Sequence, residues 1–213
     1  MTAARSQIPV TERVRSLEVR WVRPGQLEAA VTRWFARFPT GVESRVDTYL
    51  VDPQLAGLSV KLRHGAALEV KVYQGSPGTL EVAGRVRGRL EWWDKWSFPC
   101  GQPADDAPGW CPVRKLIHRF PAASGQAGAR HAGLGEEARC DVELTEVHAD
   151  GRDWWTLGFE ATGPAGGLRT ELEAAAALVF AQALPSGVEL GIDDSQSYAQ
   201  WLTGGPPRGG PAA

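Results

Sequence analysis

The chain has 213 residues, of which 43% are hydrophobic and 23% are charged, and its formal net charge is −2. This composition predicts a globular protein with its own core rather than a disordered one. The near-neutral charge gives no reason to expect nucleic acid or membrane as a primary partner. There is no run of about 18 apolar residues and no apolar signal core near residue 1, so we predict a cytoplasmic protein.

Cysteine and lysine are both used sparingly. Cys100, Cys111 and Cys140 show no metal-like spacing, and we expect free thiols, with a Cys100–Cys111 bridge as the less favoured alternative. The four lysines stand against 19 arginines. Each lysine lies in a segment predicted as strand, which indicates a need for a compact ammonium group there; placement by chance is the alternative.

The first predicted elements are a strand and a helix. Period-two alternation over residues 15–22 predicts a strand with Leu17 on one face and Glu18 on the other. Apolar residues at helical spacing from Leu27 to Phe38 predict an amphipathic helix. Residues 1–13 are predicted to be a disordered terminus.

Three hairpin-connected strands are predicted between residues 42 and 73. Each alternates charged and apolar residues, so its charged residues share one face. An ordinary amphipathic sheet would expose small polar residues there, whereas this face carries both signs of charge and is typical of a site. Its members are Arg45, Asp47, Tyr49, Lys61, Arg63, Glu69 and Lys71.

The second half of the chain predicts further strands, then helices. Residues 79–98 are predicted to form one bent strand or two, with Trp92, Trp93 and Trp96 covering the outside of a sheet beneath a helix. The Asp150-Gly151 pair predicts a hairpin turn. Other predicted strands are 113–120, 139–148 and 154–162; predicted helices are 166–184 and 197–202; predicted loops are 99–112 and 121–138; the tail 204–213 is predicted to be disordered.

The polar strand faces together predict the fold and a ligand class. About eight antiparallel strands are the number needed to close a small barrel, so we predict an α+β fold, an eight-stranded antiparallel barrel with two main helices outside, in one domain spanning 14–203. Inward cations at this density favour a polyphosphate, and carboxylates favour Mg2+ or Mn2+. The cations are Arg20, Arg45, Lys61, Arg63, Lys71, Lys95, Lys115 and Arg119.

The order of short motifs resembles the CYTH superfamily, the triphosphate tunnel metalloenzymes, and is most similar to an uncharacterised CYTH-like group. The motifs read here as Arg45-Val-Asp47-Thr-Tyr49-Leu50, Lys61-Leu-Arg63, Leu68-Glu69-Val-Lys71, Lys95-Trp-Ser-Phe98 and Trp154 to Glu160. The resemblance implies a β-tunnel that binds a polyphosphate or an organic triphosphate. It also implies a Mg2+- or Mn2+-dependent triphosphatase.

The resemblance implies site residues one by one. The family's first-strand ExExK motif falls on Ser16-Leu-Glu18-Val-Arg20, with Ser16 in place of the first Glu. Glu18 and Glu160 are the implied catalytic residues, and Glu18, Glu143 and Glu160 the implied metal ligands, with Asp141 a weaker candidate. The serine puts metal affinity and hydrolysis in question, since the family holds its metal with paired glutamates.

Three functions therefore remain open at this point. The first is a metal-dependent triphosphate phosphohydrolase that grips phosphates with its lumen cations. The second is a phosphate- or nucleotide-binding module without catalysis, which Ser16 favours. The third is a barrel for an acidic apolar ligand, against which the mixed charges argue because such a lumen is mostly apolar.

Overall fold

The computed structural model describes residues 13–55, 57–63, 67–100, 108–122 and 137–204. Of the ends predicted to be disordered, 1–13 and 204–213, residues 1–12 and 205–213 lie outside these ranges, while Gly204 is helical, so the prediction is wrong there. The predicted turn at His64-Gly65 and most of the two predicted loops also lie outside these ranges.

Nine strands and three helices form in the described part of the chain. The strands are β1 (Val14–Pro24), β2 (Gly41–Leu50), β3 (Leu58–Arg63), β4 (Ala67–Tyr73), β5 (Gly78–Val82), β6 (Val86–Pro99), β7 (Trp110–Ala122), β8 (Arg139–Ala149) and β9 (Arg152–Thr162). The helices are α1 (Ala29–Phe35), α2 (Leu168–Phe180) and α3 (Tyr198–Gly204).

Eight of the strands close into an antiparallel barrel, and β5 stands outside it. The order runs β1-β9-β8-β7-β2-β3-β4-β6, and β1 pairs with β6 to close the ring. Strand β5 pairs only with the first part of β6, from Gly78 opposite Leu90 to Val82 opposite Val86. The predicted α+β barrel with helices outside is therefore confirmed.

The main hydrophobic core lies outside the barrel wall. Leu17, Val19 and Trp21 face away from the lumen on β1 and pack with α1, α2 and the outer faces of β8 and β9. Helix α2 forms because Leu168, Leu172, Ala175, Ala176, Val179 and Phe180 recur at helical spacing and are all buried. The apolar stripe thus covers the wall, and the charged strand faces are left to the lumen.

Local turn chemistry sets several strand boundaries. Asp150 and Gly151 adopt φ values of 50° and 69°, the left-handed pair that closes a two-residue hairpin between β8 and β9, which confirms the predicted turn. Residues 79–98 prove to be two strands, because a turn at 83–85 separates β5 from β6. Helix α1 is shorter than the predicted stretch 27–38.

Helix α3 closes one end of the barrel. Its Trp201 packs edge-on against Trp154 of β9 with ring centroids 5.2 Å apart, and its Tyr198 stacks on Tyr49 of β2 at 5.7 Å. These side chains belong to a second hydrophobic cluster with Val22, Val113, Val147 and Ala149. The lumen consequently has an apolar plug at one end, which we call the floor end.

Two further features concern the cysteines and the helices. Cys100, Cys111 and Cys140 are not joined by a disulfide in the structure, so the less favoured bridge between Cys100 and Cys111 is not formed. No helix in the described ranges is long and apolar enough to cross a membrane.

Candidate functional site

The inward strand faces meet in one cavity of about 90 Å³, room for a few water molecules. All eight cations predicted from the sequence line it, together with Glu18, Glu143 and Glu160. The lining carries these eight cations against five carboxylates, which are Glu18, Glu69, Glu91, Glu143 and Glu160. The site therefore has a cationic excess, although most of its charges are paired with one another.

The floor of the lumen is a buried ion cluster around Asp47. This carboxylate is fully buried and lies 2.9 Å from Lys115 Nζ, 3.4 Å from Lys61 Nζ and 3.2 Å from Arg45 Nε. Burial by itself would raise the pKa of Asp47, but Lys115, Lys61 and Arg45 together hold it well below its usual range. Asp47 is thus an ionised hub that neutralises the deepest cations.

Aromatic rings enclose the ammonium group of Lys115. It donates a 2.7 Å hydrogen bond to the Tyr49 hydroxyl and lies 3.9 Å from the centre of the Tyr198 ring. Burial lowers the pKa of Lys115, and burial raises the pKa of Tyr49 to about 12. The cation is therefore held by an anion, a hydroxyl and π faces, all of which belong to the protein.

Arg20 lies in a recess that a glycine creates. Its guanidinium donates to Thr156 Oγ1 at 3.1 Å and lies 3.4 Å from Glu143. Gly158 stands directly opposite Arg20 on β9, and a Cβ there would meet the guanidinium carbon at 2.6 Å. Only a residue without a side chain leaves room for Arg20 in this position.

A row of carboxylates crosses four neighbouring strands. Glu18 of β1 is the register partner of Glu91 on β6 and of Glu160 on β9, and Glu160 is opposite Asp141 on β8. Like charges directly opposite one another in a sheet are destabilising. Burial raises the pKa of both Glu91 and Asp141, and the opposing effects of Arg89 on Glu91 and of Arg119 on Asp141 do not offset it.

The ammonium group of Lys71 stands between two members of this row. Its Nζ lies 2.6 Å from Glu18 Oε1 and 3.1 Å from Glu160 Oε1. Burial disfavours the charged form of Lys71, but Glu160 and Glu18 more than offset this and raise its pKa. Burial would likewise raise the pKa of Glu160, yet Lys71 holds it well below its usual range.

The residues that the resemblance implies as metal ligands are occupied by cations of the protein. Glu18 and Glu160 hold Lys71, while Glu143 holds Arg20 and Arg119. Within the described ranges no group of three His, Cys, Asp or Glu side chains is arranged to hold a metal ion. These carboxylates do not fit Mg2+ or Mn2+ as they lie.

The other end of the lumen, which we call the mouth, is more open and less completely paired. Arg63 and Arg119 have 32% and 37% of their side chains exposed, against 3% for Lys115 at the floor. Arg63 Nη1 lies 3.1 Å from Glu69, while Arg63 Nε is buried without a hydrogen-bond acceptor in the part of the chain that the structure describes, as Asp47 Oδ1 at the floor is without a donor. Lys95 lies directly opposite Lys71 on β6 and β4, and it makes no ion pair or hydrogen bond with any described residue.

The lining residues that were not predicted from the sequence include Glu91, Trp93 and Tyr198. Glu91 and Trp93 face the lumen, where Trp93 Nε1 donates to Glu91 Oε2 at 3.1 Å. The expectation that Trp93 covers the outside of the sheet is wrong, while Trp92 does pack against the outer core. Tyr198 reaches the site from α3. The alternation of Glu91, Trp93 and Lys95 was a usable signal, but adjacent tryptophans on both faces obscured it.

The strand register and the lumen together define a closed, plugged β-barrel with a charged interior. Two solved structures of the S. pombe Pct1 RNA triphosphatase are similar to the chain. The first is 12% identical with a TM-score of 0.40, covering 82% of this chain and 79% of that chain. The second, in complex with the Spt5 CTD, is 10% identical with a TM-score of 0.39, covering 82% and 80%. No protein-family profile matches the chain, and no curated protein matches it.

Proposed function

We propose that the protein binds a compound with several linked phosphates, a polyphosphate or an organic triphosphate, at the mouth of its barrel. The observation that carries this proposal is Lys95, which faces Lys71 across the sheet with no ion-paired carboxylate among the described residues. Lys71 is already paired with Glu18 and Glu160, whereas Lys95 only helps to lower the pKa of Glu160 and of Glu69 against the effect of burial and forms an ion pair with neither. Lys95 therefore favours an anionic ligand.

Neighbouring donors support a ligand with several oxygens. Arg63 brings a guanidinium whose Nε lacks an acceptor among the described residues, and Arg119 brings a second one that is partly exposed. Arginine presents a planar fork that suits phosphate, and lysine presents a point charge. Such a set can hold two or more adjacent phosphates, whereas an acidic apolar ligand would leave most of these charged groups without a partner.

The size of the cavity limits how such a ligand enters. The space of about 90 Å³ has room for only a few waters. A phosphate chain has to displace those waters, and the exposed ends of Arg63 and Arg119 have to turn toward it. The cations at the floor stay paired with Asp47. The phosphates are therefore bound by Lys95, Arg63 and Arg119.

The test is titration calorimetry with tripolyphosphate, thiamine triphosphate and ATP. Lys95→Met is expected to weaken binding by about tenfold or more, because a hydrogen bond to a charged group contributes about 1.5–3 kcal/mol. The unfolding free energy of the Lys95→Met variant is expected to stay within about 0.5 kcal/mol of the wild-type value. Failure of the wild-type protein to bind any of the three compounds contradicts the proposal.

A matched control uses the outer face of another barrel strand. Arg114 is exposed on the outside of β7, so Arg114→Met removes the same charge without touching the lumen and should leave binding unchanged. Phosphate release with Mg2+ or Mn2+ is measured on the same samples. Release that Lys61→Ala or Glu160→Ala abolishes assigns hydrolysis to the lumen, and binding without release assigns a binding module.

A further inference from the structure

Two carboxylates at the centre of the lumen are arranged as a cation site. Glu18 and Glu160 are register partners on β1 and β9, and both point inward. Ser16 fixes the first of them, since its hydroxyl donates to Glu18 Oε1 at 2.5 Å. Divalent cations that act with phosphates are bound in proteins by one or two such carboxylates and by the phosphates themselves.

The cation at this position belongs to the protein. Lys71 reaches across from β4 and contacts both carboxylates at once, at 2.6 and 3.1 Å. The side chain of Lys71 is largely buried, so this ion pair is not a solvent-exposed surface salt bridge, which would contribute little. The pair of acids is thereby neutralised in part before any ligand or ion arrives.

Another lumen lysine bridges two acids in a different way. Lys61 lies 3.4 Å from Asp47 and 3.2 Å from Glu69. Each of those acids has further cationic partners, Lys115 and Arg45 for Asp47 and Arg63 for Glu69. Loss of Lys61 leaves both acids paired, whereas loss of Lys71 leaves Glu18 and Glu160 facing one another without an ion-paired cation among the described residues.

We propose that Lys71 is a built-in counter-ion that occupies the place of a divalent metal between Glu18 and Glu160, so that the lumen works without one. The part that concerns ligand binding rests on the proposed function; the part that concerns the carboxylates does not. The geometry also gives Ser16 a role, because a neutral hydroxyl at this position orients Glu18 without adding a third charge.

Direct measurement of Mn2+ binding by calorimetry and by the Mn2+ electron paramagnetic resonance signal tests the carboxylate part. The wild-type protein is expected to bind no Mn2+ in the lumen. Lys71→Met is expected to gain Mn2+ binding, at least about tenfold tighter than any binding by the wild type, and Glu160→Gln in that background should remove it. The matched variant Lys61→Met should gain none, and Lys71→Arg should behave as the wild type.

Mn2+ binding by the wild-type protein that Glu160→Gln abolishes overturns the proposal, as does Lys71→Met that is folded and binds no Mn2+. Should Lys71→Met not fold, Lys71→Gln retains hydrogen-bonding capacity and serves instead. Wild-type Mn2+ binding that Glu160→Gln abolishes overturns the proposal whether or not a Lys71 variant folds.

The ligand part is tested with tripolyphosphate in EDTA and in Mg2+. Binding in EDTA is expected, and binding that occurs only in Mg2+ overturns this part; a weaker apparent affinity in Mg2+ does not, because tripolyphosphate itself chelates Mg2+. A protein that binds no polyphosphate under either condition refutes the proposed function instead. The gain of Mn2+ binding in Lys71→Met still reports on the counter-ion.

Discussion

The floor and the mouth of the lumen hold the same kinds of residue in opposite states. At the floor, Asp47 satisfies Lys115, Lys61 and Arg45 beneath the aromatic plug of α3. At the mouth, Arg63 has a buried donor without an acceptor among the described residues, and Lys95 faces another lysine. A charge whose partners are all internal contributes to folding, and a charge left without a partner is available to a ligand.

The largest expected effect comes from breaking the floor. Asp47→Asn removes the hub and leaves buried cations without compensation, so the free energy of unfolding should fall by about 3–5 kcal/mol. Urea denaturation followed by tryptophan fluorescence measures this. The control is Glu81→Gln, because the side chains of Glu81 and of its partner Arg87 are 58% and 57% exposed. It should cost only about 0–1 kcal/mol, because water solvates the released cation.

Acid should produce the same loss without a mutation. The pKa of Asp47 is held below its ordinary value, so its stabilisation is complete above the ordinary aspartate pKa of about 3.9 and is lost as the pH falls through the depressed pKa. The wild-type and Asp47→Asn proteins should therefore converge in stability on acidification. A difference that stays constant down to the lowest pH contradicts the hub role.

An intermediate effect is expected halfway up the lumen. Gly158→Ala places a methyl group against the Arg20 guanidinium, and such overpacking costs about 1–3 kcal/mol. At Gly166 a Cβ would have nothing within 4 Å, and the backbone has no unusual φ, so Gly166→Ala should be within about 0.5 kcal/mol of the wild type. Thermal unfolding compares the two. Equal stabilities would show that Arg20 has freedom to move away.

The smallest expected effect is a gain. Burial raises the pKa of Glu91, so its ionised form opposes folding at pH values above the ordinary glutamate pKa. Glu91→Gln should therefore stabilise the protein by on the order of 1 kcal/mol near neutral pH, or about 2–4 °C in Tm. The gain should vanish near about pH 4, where the acid is protonated in both states. A loss at neutral pH would mean that Glu91 has a cationic partner.

The sequence allowed much of the barrel to be predicted because its walls alternate with unusual consistency. Positions that face the lumen are charged and positions that face outward are apolar. Consecutive residues such as Lys61 and Leu62 therefore alternate in polarity along the strand. The Asp150-Gly151 hairpin was predictable for the same local reason. These features depend on neighbours in the chain.

The pairing inside the lumen was not predictable, because it depends on closure. Lys71 contacts Glu18 and Glu160, which are 53 and 89 positions away in the sequence. The period-two pattern shows only that all three side chains face the lumen, and from that pattern each is predicted to bind a ligand or a metal. The plug was missed for a related reason. The short segment containing Tyr198 and Trp201 reads as a terminal helix, and only the assembled barrel shows that its aromatic rings enter the floor.

The plug formed by α3 determines from which direction a polymer can be recognised. With Trp201 and Tyr198 seated in the floor, a chain of phosphates cannot thread through the barrel and has to be engaged by its terminus. The number of protein molecules that one polymer can bind would then depend on its number of ends and not on its number of phosphates. At equal phosphate concentration, short oligomers should saturate the protein sooner than long ones.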